Sequence, residues 1–411
     1  MAKKSVKRKD RVQAQYEELP YPHRDPKDEK KRLVTGSPSH LRELRHHLFK
    51  GALPAGRPFR VLVAGGGTGD ALIMLAQHLA DEGADADIHY IDLSSASRKI
   101  AEERARRRGL NITFHSGSLL DAAKLGEFDY IDSCGVLHHL PNPQEGFRAL
   151  KGALTPEGGM GIMVYGTLGR TGVYPMQEML RMVAADGSAQ SRIDTARSLL
   201  SDLPETNWLR RNAQIEDHNV SDAALFDLLL HSQDRSYTVP ELAQEVSEAG
   251  LRIVSFIDPA CYRPESYLQD QDILARLKDA DLVEQARFAE LLAGNLKKHI
   301  VYLTHADRDE ETVASCTNAK AIPVYRDEVT QRSFRAMPPG AQPRLELDGI
   351  KFPLTLPPQA AMVLRAIDGR RSLEQIHSMM PGSPDWFQFS TVFQQTFNGL
   401  HGFGKLFLKL P

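Results

Sequence analysis

The sequence predicts an α/β protein in which a mainly parallel sheet carries helices on both faces. Three observations predict this class. Short apolar segments alternate with helical segments from about residue 59 to residue 166. A glycine-rich turn joins the first apolar segment directly to a helix. Two later apolar segments, LRIVSFI and HIVYLTH, are expected to complete the far side of the sheet.

The elements of the alternating region follow one another in a regular order. Strands are predicted in FRVLVA, IHYID, ITFHSG, FDYIDSCGV and GGMGIMVYG. Helices are predicted in DALIMLAQHLADEG, SSASRKIAEERARRRG and PQEGFRALKGAL. Helix ends carry residues that satisfy free backbone groups. Ser94 or Ser95 begins one helix and Gly109 ends it, while Thr238 and Glu241 form a capping box further along the chain.

Composition limits the classes of protein to consider. The chain has 411 residues, 41% of them hydrophobic, which is enough for two or three domains. Its formal net charge of -2 gives no strong signal for nucleic-acid binding. Three widely spaced cysteines form no CxxC pair, which fits a reducing cytosol, and no apolar run is long enough to span a bilayer. The sequence therefore predicts a cytoplasmic protein.

Three regions are predicted along the chain. Residues 1–50 form an N-terminal arm, which is a possible lid. Residues 51–306 form the core domain, with helical insertions at about 167–237 and 258–296. Residues 307–411 are expected to form a small α+β domain similar to a winged helix. Its balanced charge does not indicate DNA binding, and a gating, protein-binding or dimerising role fits better, so a homodimer is possible.

The segment VLVAGGGTGD carries the main functional signal. A strand runs into Gly65, Gly67 and Gly69, which let the backbone turn sharply beside a ligand, and a helix follows at once. Asp70 stands where a dinucleotide-binding GxGxxG turn would have its last glycine, which disfavours NAD and FAD. The next strand ends at Asp92, where a carboxylate can accept both ribose hydroxyls.

Together with YIDLS, CGVLHHL and LTPEGGMGIMVYG, this turn resembles the class I S-adenosylmethionine-dependent methyltransferases, which have a Rossmann-like doubly wound sheet. The arm sequence QYEELPYP is similar to a segment that precedes the core in a bacterial subset of them. The resemblance implies S-adenosylmethionine as the cofactor and no metal. The residues that it implies for cofactor binding are Ala64, Gly65, Gly67, Gly69, Asp92, Leu93, Ser118, Leu119 and Gly135.

Two positions depart from the family pattern. Val63 stands where many members have an acidic residue, and Ser118 stands where many have aspartate. Adenine contact by Ser118 is therefore less certain than ribose contact by Asp92. The absence of an NPPY-like tetrad speaks against the amide and adenine N-methyltransferases that use one.

The residues predicted to act in catalysis follow the fourth and fifth strands. Methyl transfer is an in-line displacement, so the protein mainly aligns the acceptor in a water-poor cleft, and a base helps when the acceptor is a hydroxyl or an ammonium group. His138 or His139 is a candidate base, although the alternative that HHLP only lines the cofactor pocket is favoured. Tyr165 ends the fifth strand at the same cleft.

Other candidates lie outside the core strands. Arg170 and Tyr174 occupy a loop that can contact an acceptor, or else a plain turn. Asp227, His231 and Asp234 have the spacing of one helical face; a solvated face is favoured over a metal site. Tyr16, Tyr21 and Arg24 form part of a lid, or else of a disordered arm.

Three functions remain open from the sequence. The first is methyl transfer to a small molecule or lipid, with specificity set by the two insertions. The second is methyl transfer to a protein side chain, with the C-terminal domain docking the target. The third is a regulatory module that binds the cofactor without turnover.

Overall fold

A mixed eight-stranded sheet organises the molecule, which is described by a computed structural model over residues 12–411. Its strands are β1 Phe59–Ala64, β2 Ala86–Asp92, β3 Thr113–Ser116, β4 Phe128–Cys134, β5 Leu154–Gly166, β6 Ser236–Tyr237, β7 Leu251–Ile257 and β8 Lys298–His305. The order is β3-β2-β1-β4-β5-β8-β7, with β6 beside the end of β5. Strands β1 to β5 are parallel and β8 runs antiparallel to β5 and β7. This confirms the predicted doubly wound sheet.

Helices cover both faces of the sheet. Those of the core and its insertions are α1 Leu41–Leu48, α2 Asp70–Asp81, α3 Ser95–Arg108, α4 Pro143–Lys151, α5 Val173–Val183, α6 Ala189–Ser201, α7 Trp208–Arg211, α8 Asp222–Leu225, α9 Val239–Glu248, α10 Gln271–Leu277 and α11 Leu282–Ala293. Apolar side chains of α1, α2 and α3 pack on one face. Those of α4, α9 and α11 pack on the other, so each face buries its own apolar cluster.

The predicted helix ends are present. The Ser94 side chain accepts a hydrogen bond from the Ser97 N–H at the start of α3, and Gly109 ends the helix in the left-handed conformation. Thr238 and Glu241 form both bonds of the capping box that begins α9. These local signals work because they satisfy backbone groups that the helix itself leaves free.

The last hundred residues form short helices and two small sheets. Their elements are β9 Ile322–Tyr325, α12 Glu328–Arg335, β10 Arg344–Leu347, β11 Ile350–Pro353, α13 Ala360–Ala366, α14 Leu373–Ser378, α15 Trp386–His401 and β12 Leu406–Lys409. The segment RLELDGIKF forms a hairpin that turns at Asp348 and Gly349. Within residues 12–411, no helix is long and apolar enough to cross a membrane.

Candidate functional site

The first strand ends in a turn with backbone conformations that glycine adopts readily. The φ angles are 75° at Gly65, 51° at Gly67 and 98° at Gly69. A Cβ atom on Gly65 would lie 2.6 Å from the Val136 side chain, so no larger residue fits there without a shift. The turn therefore presents backbone with no side chain in the way, directly before the N-terminus of α2.

Asp92 organises this turn. Its carboxylate accepts hydrogen bonds from the N–H groups of Gly67 and Ser94, both at 2.8 Å. Burial raises the pKa of Asp92, and these two N–H donors oppose that effect. The same carboxylate lines the adjoining cavity, where it can accept ribose hydroxyls as the sequence predicts.

A cavity of about 500 Å³ lies at the carboxyl ends of the parallel strands. Most of the residues predicted from the sequence lie in its wall. They are Gly65, Gly67, Asp92, Leu93, Ser118, Leu119, Gly135, His139 and Tyr165. Val63, the departure from the family pattern, also lines it. This is the edge of an open α/β sheet at which ligands bind.

Three predicted residues lie elsewhere. Ala64 is fully buried within the sheet, and Gly69 packs its backbone against Ala101 instead of facing the cavity. His138 is fully buried, with its ring 4.0 Å from that of Tyr165 and neither ring nitrogen hydrogen bonded. Burial lowers the pKa of His138 well below its ordinary value. The prediction of His138 as a base is therefore not supported, because its ring fills space behind Tyr165.

His139 is in a different position from its neighbour. Its Nδ1 lies 2.9 Å from the carbonyl oxygen of Gln233, which can only accept, so the hydrogen-bond network assigns the ring proton to Nδ1. The Gln233 side chain returns a bond to the His139 carbonyl at 2.9 Å. Because Nδ1 holds the proton, Nε2 retains its lone pair, and His139 lines the cavity.

Asp227 is the centre of the polar end of the cavity. It is 3% exposed, and its two oxygens accept hydrogen bonds from the hydroxyls of Tyr16 at 2.9 Å and Tyr165 at 3.1 Å. Burial raises the pKa of both tyrosines well above the ordinary value, so both remain protonated donors. Burial also raises the pKa of Asp227, while the tyrosine hydrogen bonds favour its ionised form.

The Asp227 carboxylate does not lie where the sequence predicts. Asp227, His231 and Asp234 were expected on a solvated helical face, but the helix ends at Leu230 and all three side chains are buried. One sequence feature could have indicated that Asp227 is buried. In the run AALFDLLL a single acidic residue stands among apolar residues, and a buried carboxylate needs hydrogen-bonding partners. Those partners come from the arm and from β5, distant in sequence.

Two of the three residues weighed as metal ligands from the sequence, Asp227 and His231, lie close to His139. Donor atoms of His139, Asp227 and His231 lie within 4.8 Å of one another. However, His231 Nδ1 accepts the Gln233 N–H at 3.0 Å, so the neutral ring carries its proton on Nε2, which lies 3.3 Å from the Tyr16 hydroxyl. That nitrogen has no free lone pair for a metal ion. The hydrogen bonds therefore favour an organic ligand at this end of the cavity.

The insertion and the arm complete the cavity wall. Arg170 is 3% exposed, lies 3.7 Å over the Tyr165 ring and pairs with Asp234 at 3.3 Å. Tyr174 lies beneath the same guanidinium, at 5.8 Å, and so supports it. Tyr16 and Tyr21 of the arm line the cavity. Residues 12–32 therefore lie against the core, while residues 1–11 of the predicted arm are outside the described range.

Comparison with known proteins gives a domain and a fold. Residues 62–160 match the family described as a methyltransferase domain. The chain is 34% identical over 245 residues to an uncharacterized protein of Synechococcus sp., a match that covers 58% of each chain. The chain therefore matches less than two thirds of the length of that relative.

The fold extends beyond the matched domain. The structure of PKMT2 from Rickettsia typhi superposes with a TM-score of 0.65 at 16% identity, covering 91% of this chain and 75% of that one. The same protein in complex with AdoHcy superposes with a TM-score of 0.63. Residues 62–160 thus match a methyltransferase domain, and the likeness to PKMT2 shows a common Rossmann-like fold.

The residues of the cavity fit S-adenosylmethionine, the cofactor that the sequence resemblance implies. The glycine turn lines the cavity with backbone, because a Cβ at Gly65 would collide with Val136, and Asp92 presents a carboxylate at the position expected for the ribose. Leu93 and Leu119 supply apolar surface in the same wall, which suits a purine ring. Asp227 is a further buried polar group in the wall of the same cavity.

Proposed function

We propose that this chain is an S-adenosylmethionine-dependent methyltransferase that methylates an amine of a small molecule or lipid. One observation carries the choice of acceptor. The buried carboxylate of Asp227 is held by two tyrosine hydroxyls in the cavity that also contains the nucleoside-binding residues. A buried carboxylate with this support stabilises a cationic ligand.

The hydrogen-bond directions support an amine. The hydroxyl hydrogens of Tyr16 and Tyr165 are used on Asp227, and the ring hydrogen of His139 is used on Gln233. The atoms around Asp227 therefore have lone pairs left to accept hydrogen bonds. An ammonium group supplies N–H donors and a positive charge together, whereas a carboxylate or thiolate acceptor would supply neither.

The charges nearby point in the same direction. Among residues 12–411, no arginine or lysine forms an ion pair with Asp227. Arg170, a buried cation of the insertion, is paired with Asp234. The ionised form of Asp227 thus has no arginine or lysine partner among these residues, and a bound ammonium group would balance its charge.

The reaction assigns separate tasks to these side chains. The bound cofactor supplies an activated methyl group. Asp227 and Tyr165 attract and orient the ammonium nitrogen, and the Nε2 atom of His139 accepts one of its protons, so that a nitrogen lone pair becomes available. The arm and the insertion exclude water from this end of the cavity.

The test combines one substitution with the chemistry of the product. Asp227→Asn preserves size and removes the charge, so we expect methyl transfer from tritiated cofactor to a bacterial lysate to fall by about 100-fold or more. Binding of AdoHcy by calorimetry is expected to remain within about twofold. Asp202→Asn, an exposed acid of the same insertion, is the matched control and should retain both properties.

The label distinguishes the acceptor classes. An N-methyl product retains tritium in mild base, whereas a methyl ester releases it as methanol, so base-labile label would contradict the amine. Label in the acid-soluble fraction supports a small molecule, and label in the organic extract supports a lipid. Binding of AdoHcy with no labelled product in any fraction would favour the regulatory module.

A protein side-chain amine is the second candidate, because the C-terminal region reaches the cavity wall. The Asp348 carboxylate in the turn between β10 and β11 lies 3.9 Å from Nζ of Lys297, which lines the cavity. Asn295 also donates to the Asp348 carbonyl at 2.7 Å. A target protein held by this hairpin would lie beside the cavity, and label in acid-precipitated protein would select this candidate.

A further inference from the structure

The arm is fastened to the strand end that carries Asp92. Gln13 Nε2 donates to the Leu93 carbonyl at 3.0 Å. The Glu17 carboxylate accepts hydrogen bonds from the N–H groups of Ser95 and Ala96 at the start of α3. These hydrogen bonds lower the pKa of Glu17, as expected for a carboxylate at a helix N-terminus. The arm thus binds the segment that directly follows the ribose-binding residue.

The arm is also fastened to the glycine turn. Thr68 Oγ1 donates to the Pro22 carbonyl at 2.8 Å. Arg24 binds both carboxylate oxygens of Asp70 at 2.6 to 3.1 Å. The Tyr21 carbonyl lies 3.1 Å from the position that a Cβ of Gly67 would occupy. The arm therefore covers the backbone that cradles the cofactor.

Tyr16 joins this covering to the acceptor end of the cavity. Its carbonyl accepts a hydrogen bond from Ser94 Oγ at 3.0 Å, beside Asp92. Its hydroxyl donates to Asp227 at 2.9 Å and lies 3.3 Å from Nε2 of His231. A single arm residue thus contacts both the cofactor segment and the acceptor carboxylate.

We propose that Tyr16 is a positioning residue of the acceptor site, and that the arm which carries it couples cofactor binding to assembly of that site. This inference rests on the proposed function. Tyr16, Tyr21 and Pro22 line the cavity together with the glycines, so displacement of the arm would widen the way into the cofactor site. Closure over the cofactor then brings the Tyr16 hydroxyl to Asp227.

The attachment of the arm is suited to reversible opening. Between residues 12 and 24 it consists mainly of hydrogen bonds and the Arg24–Asp70 ion pair, and every residue there except Gln15 keeps part of its surface exposed. The buried Glu29 carboxylate, which pairs with Arg104 and Arg108, anchors the chain that follows this segment. Segments with few buried apolar contacts open locally at low cost. A ligand that binds only the closed form lowers the opening equilibrium by the factor 1 + [L]/Kd, which is about 100-fold at a concentration of 100 Kd.

Limited proteolysis tests the coupling. We expect trypsin to cleave the full-length protein after Arg24 and Lys27 at least about tenfold more slowly with saturating AdoHcy than without it. Cleavage after Arg370, in the C-terminal region, is the internal control and should not change. AdoHcy binding by calorimetry with unchanged cleavage of the arm would overturn the coupling alone. Absence of AdoHcy binding would overturn the proposed function and this inference together.

Three substitutions test the role of Tyr16. Tyr16→Phe keeps the ring and removes the hydroxyl, so we expect AdoHcy affinity within about twofold and a kcat lower by about tenfold to 100-fold. The acid limb of the pH–rate profile of Tyr16→Phe should move to higher pH, because loss of the Tyr16 hydrogen bond raises the pKa of Asp227. Glu17→Ala should weaken AdoHcy binding and lower kcat without moving the acid limb.

Glu18→Ala is the matched control for these variants, because Glu18 is exposed. This variant should leave AdoHcy affinity and kcat unchanged. A Tyr16→Phe protein with unaltered kcat and pH profile would overturn the positioning role. An unmoved acid limb with reduced kcat would likewise show that Tyr16 contributes only packing.

Discussion

At the scale of single residues, the carboxylate of Asp92 performs two tasks at once. It accepts hydrogen bonds from the N–H groups of Gly67 and Ser94, and it lines the cavity proposed to bind the nucleoside. Only an unprotonated, two-oxygen side chain can serve both the backbone and a pair of hydroxyls. Removal of the Asp92 carboxylate is therefore expected to weaken cofactor binding by more than the loss of a single hydrogen bond to the ligand.

Asp92→Ala should weaken AdoHcy binding by about 1–3 kcal/mol, because both ligand hydrogen bonds and the order of the glycine turn are lost. Isothermal titration calorimetry measures the change. Asp87→Asn, at the opposite end of the same strand, is the control and should bind normally. Unchanged affinity in Asp92→Ala would mean that the ribose binds elsewhere.

The residues that could be predicted share one property: their role follows from a short local pattern. Gly65, Gly67 and Asp92 belong to a strand, a turn and a following strand end, and they lie in the cavity wall. The partners of Asp227 could not be predicted, because Tyr16 is 211 positions away and no local periodicity records that distance. His138 and His139 are adjacent in sequence, yet only the fold decides which ring faces the cavity.

At the scale of elements, helix boundaries were predicted well where a capping residue marks them. The predicted box of Thr238 and Glu241 begins α9, and a second box, formed by Ser372 and Gln375, begins α14. The prediction of a solvated helical face through Asp227 was wrong, because the helical turn ends at Leu230 and Asp227 is buried against Tyr16 and Tyr165. Capping residues therefore predict the first residue of a helix more reliably than periodicity predicts which face of the helix is exposed to solvent.

Thr238→Ala should reduce the free energy of unfolding by about 1 kcal/mol, the usual value of an N-cap side chain. The Glu241 carboxylate loses one partner, the Thr238 hydroxyl at 2.8 Å, and keeps the backbone N–H of residue 238 at 2.7 Å. Urea denaturation followed by circular dichroism gives the difference. Thr391→Ala, on an exposed position within α15, is the control, and a loss equal to that of Thr238→Ala would argue against the capping explanation.

At the scale of the whole molecule, the C-terminal region packs against α1 and the turn that follows it. The Leu410 N–H donates to the Gly51 carbonyl at 2.8 Å, and Arg326 pairs with the buried Glu43 of α1 at 3.0 Å. Apolar residues of the C-terminal helices continue the cluster that covers one face of the sheet. The similarity of PKMT2 from Rickettsia typhi to 91% of this chain agrees with a fold that includes this region.

Three histidines lie where the C-terminal region meets α1. His46 and His47 of α1 face His401 of α15, with ring centroids 4.5 to 5.1 Å apart. Burial lowers the pKa of His401 to about 4 and lowers those of His46 and His47 well below the ordinary value. Protonation of any of them in the folded protein is therefore opposed by desolvation and by the neighbouring rings.

This cluster makes the stability of the molecule depend on pH below about 6.5, the ordinary pKa of histidine. In that range the unfolded chain binds protons that the folded chain does not, so stability falls as pH falls. Three such groups together approach a slope of about 4 kcal/mol per pH unit between roughly pH 6 and pH 4. Urea denaturation at a series of pH values measures this slope.

His401→Phe should reduce that slope by up to about 1.4 kcal/mol per pH unit, because one proton fewer is taken up on unfolding. The phenyl ring can keep the stacking contact with Phe397 at 4.9 Å, which limits the loss of packing. Buried carboxylates such as Asp132, whose pKa burial raises to about 6, contribute equally to both proteins and cancel in the difference. His23→Gln, on the exposed surface of the arm, should leave the slope unchanged. If the slope of unfolding free energy against pH is the same in His401→Phe and the native protein, His401 is protonated in the folded state. The contact between α1 and the C-terminal region would then be open to water.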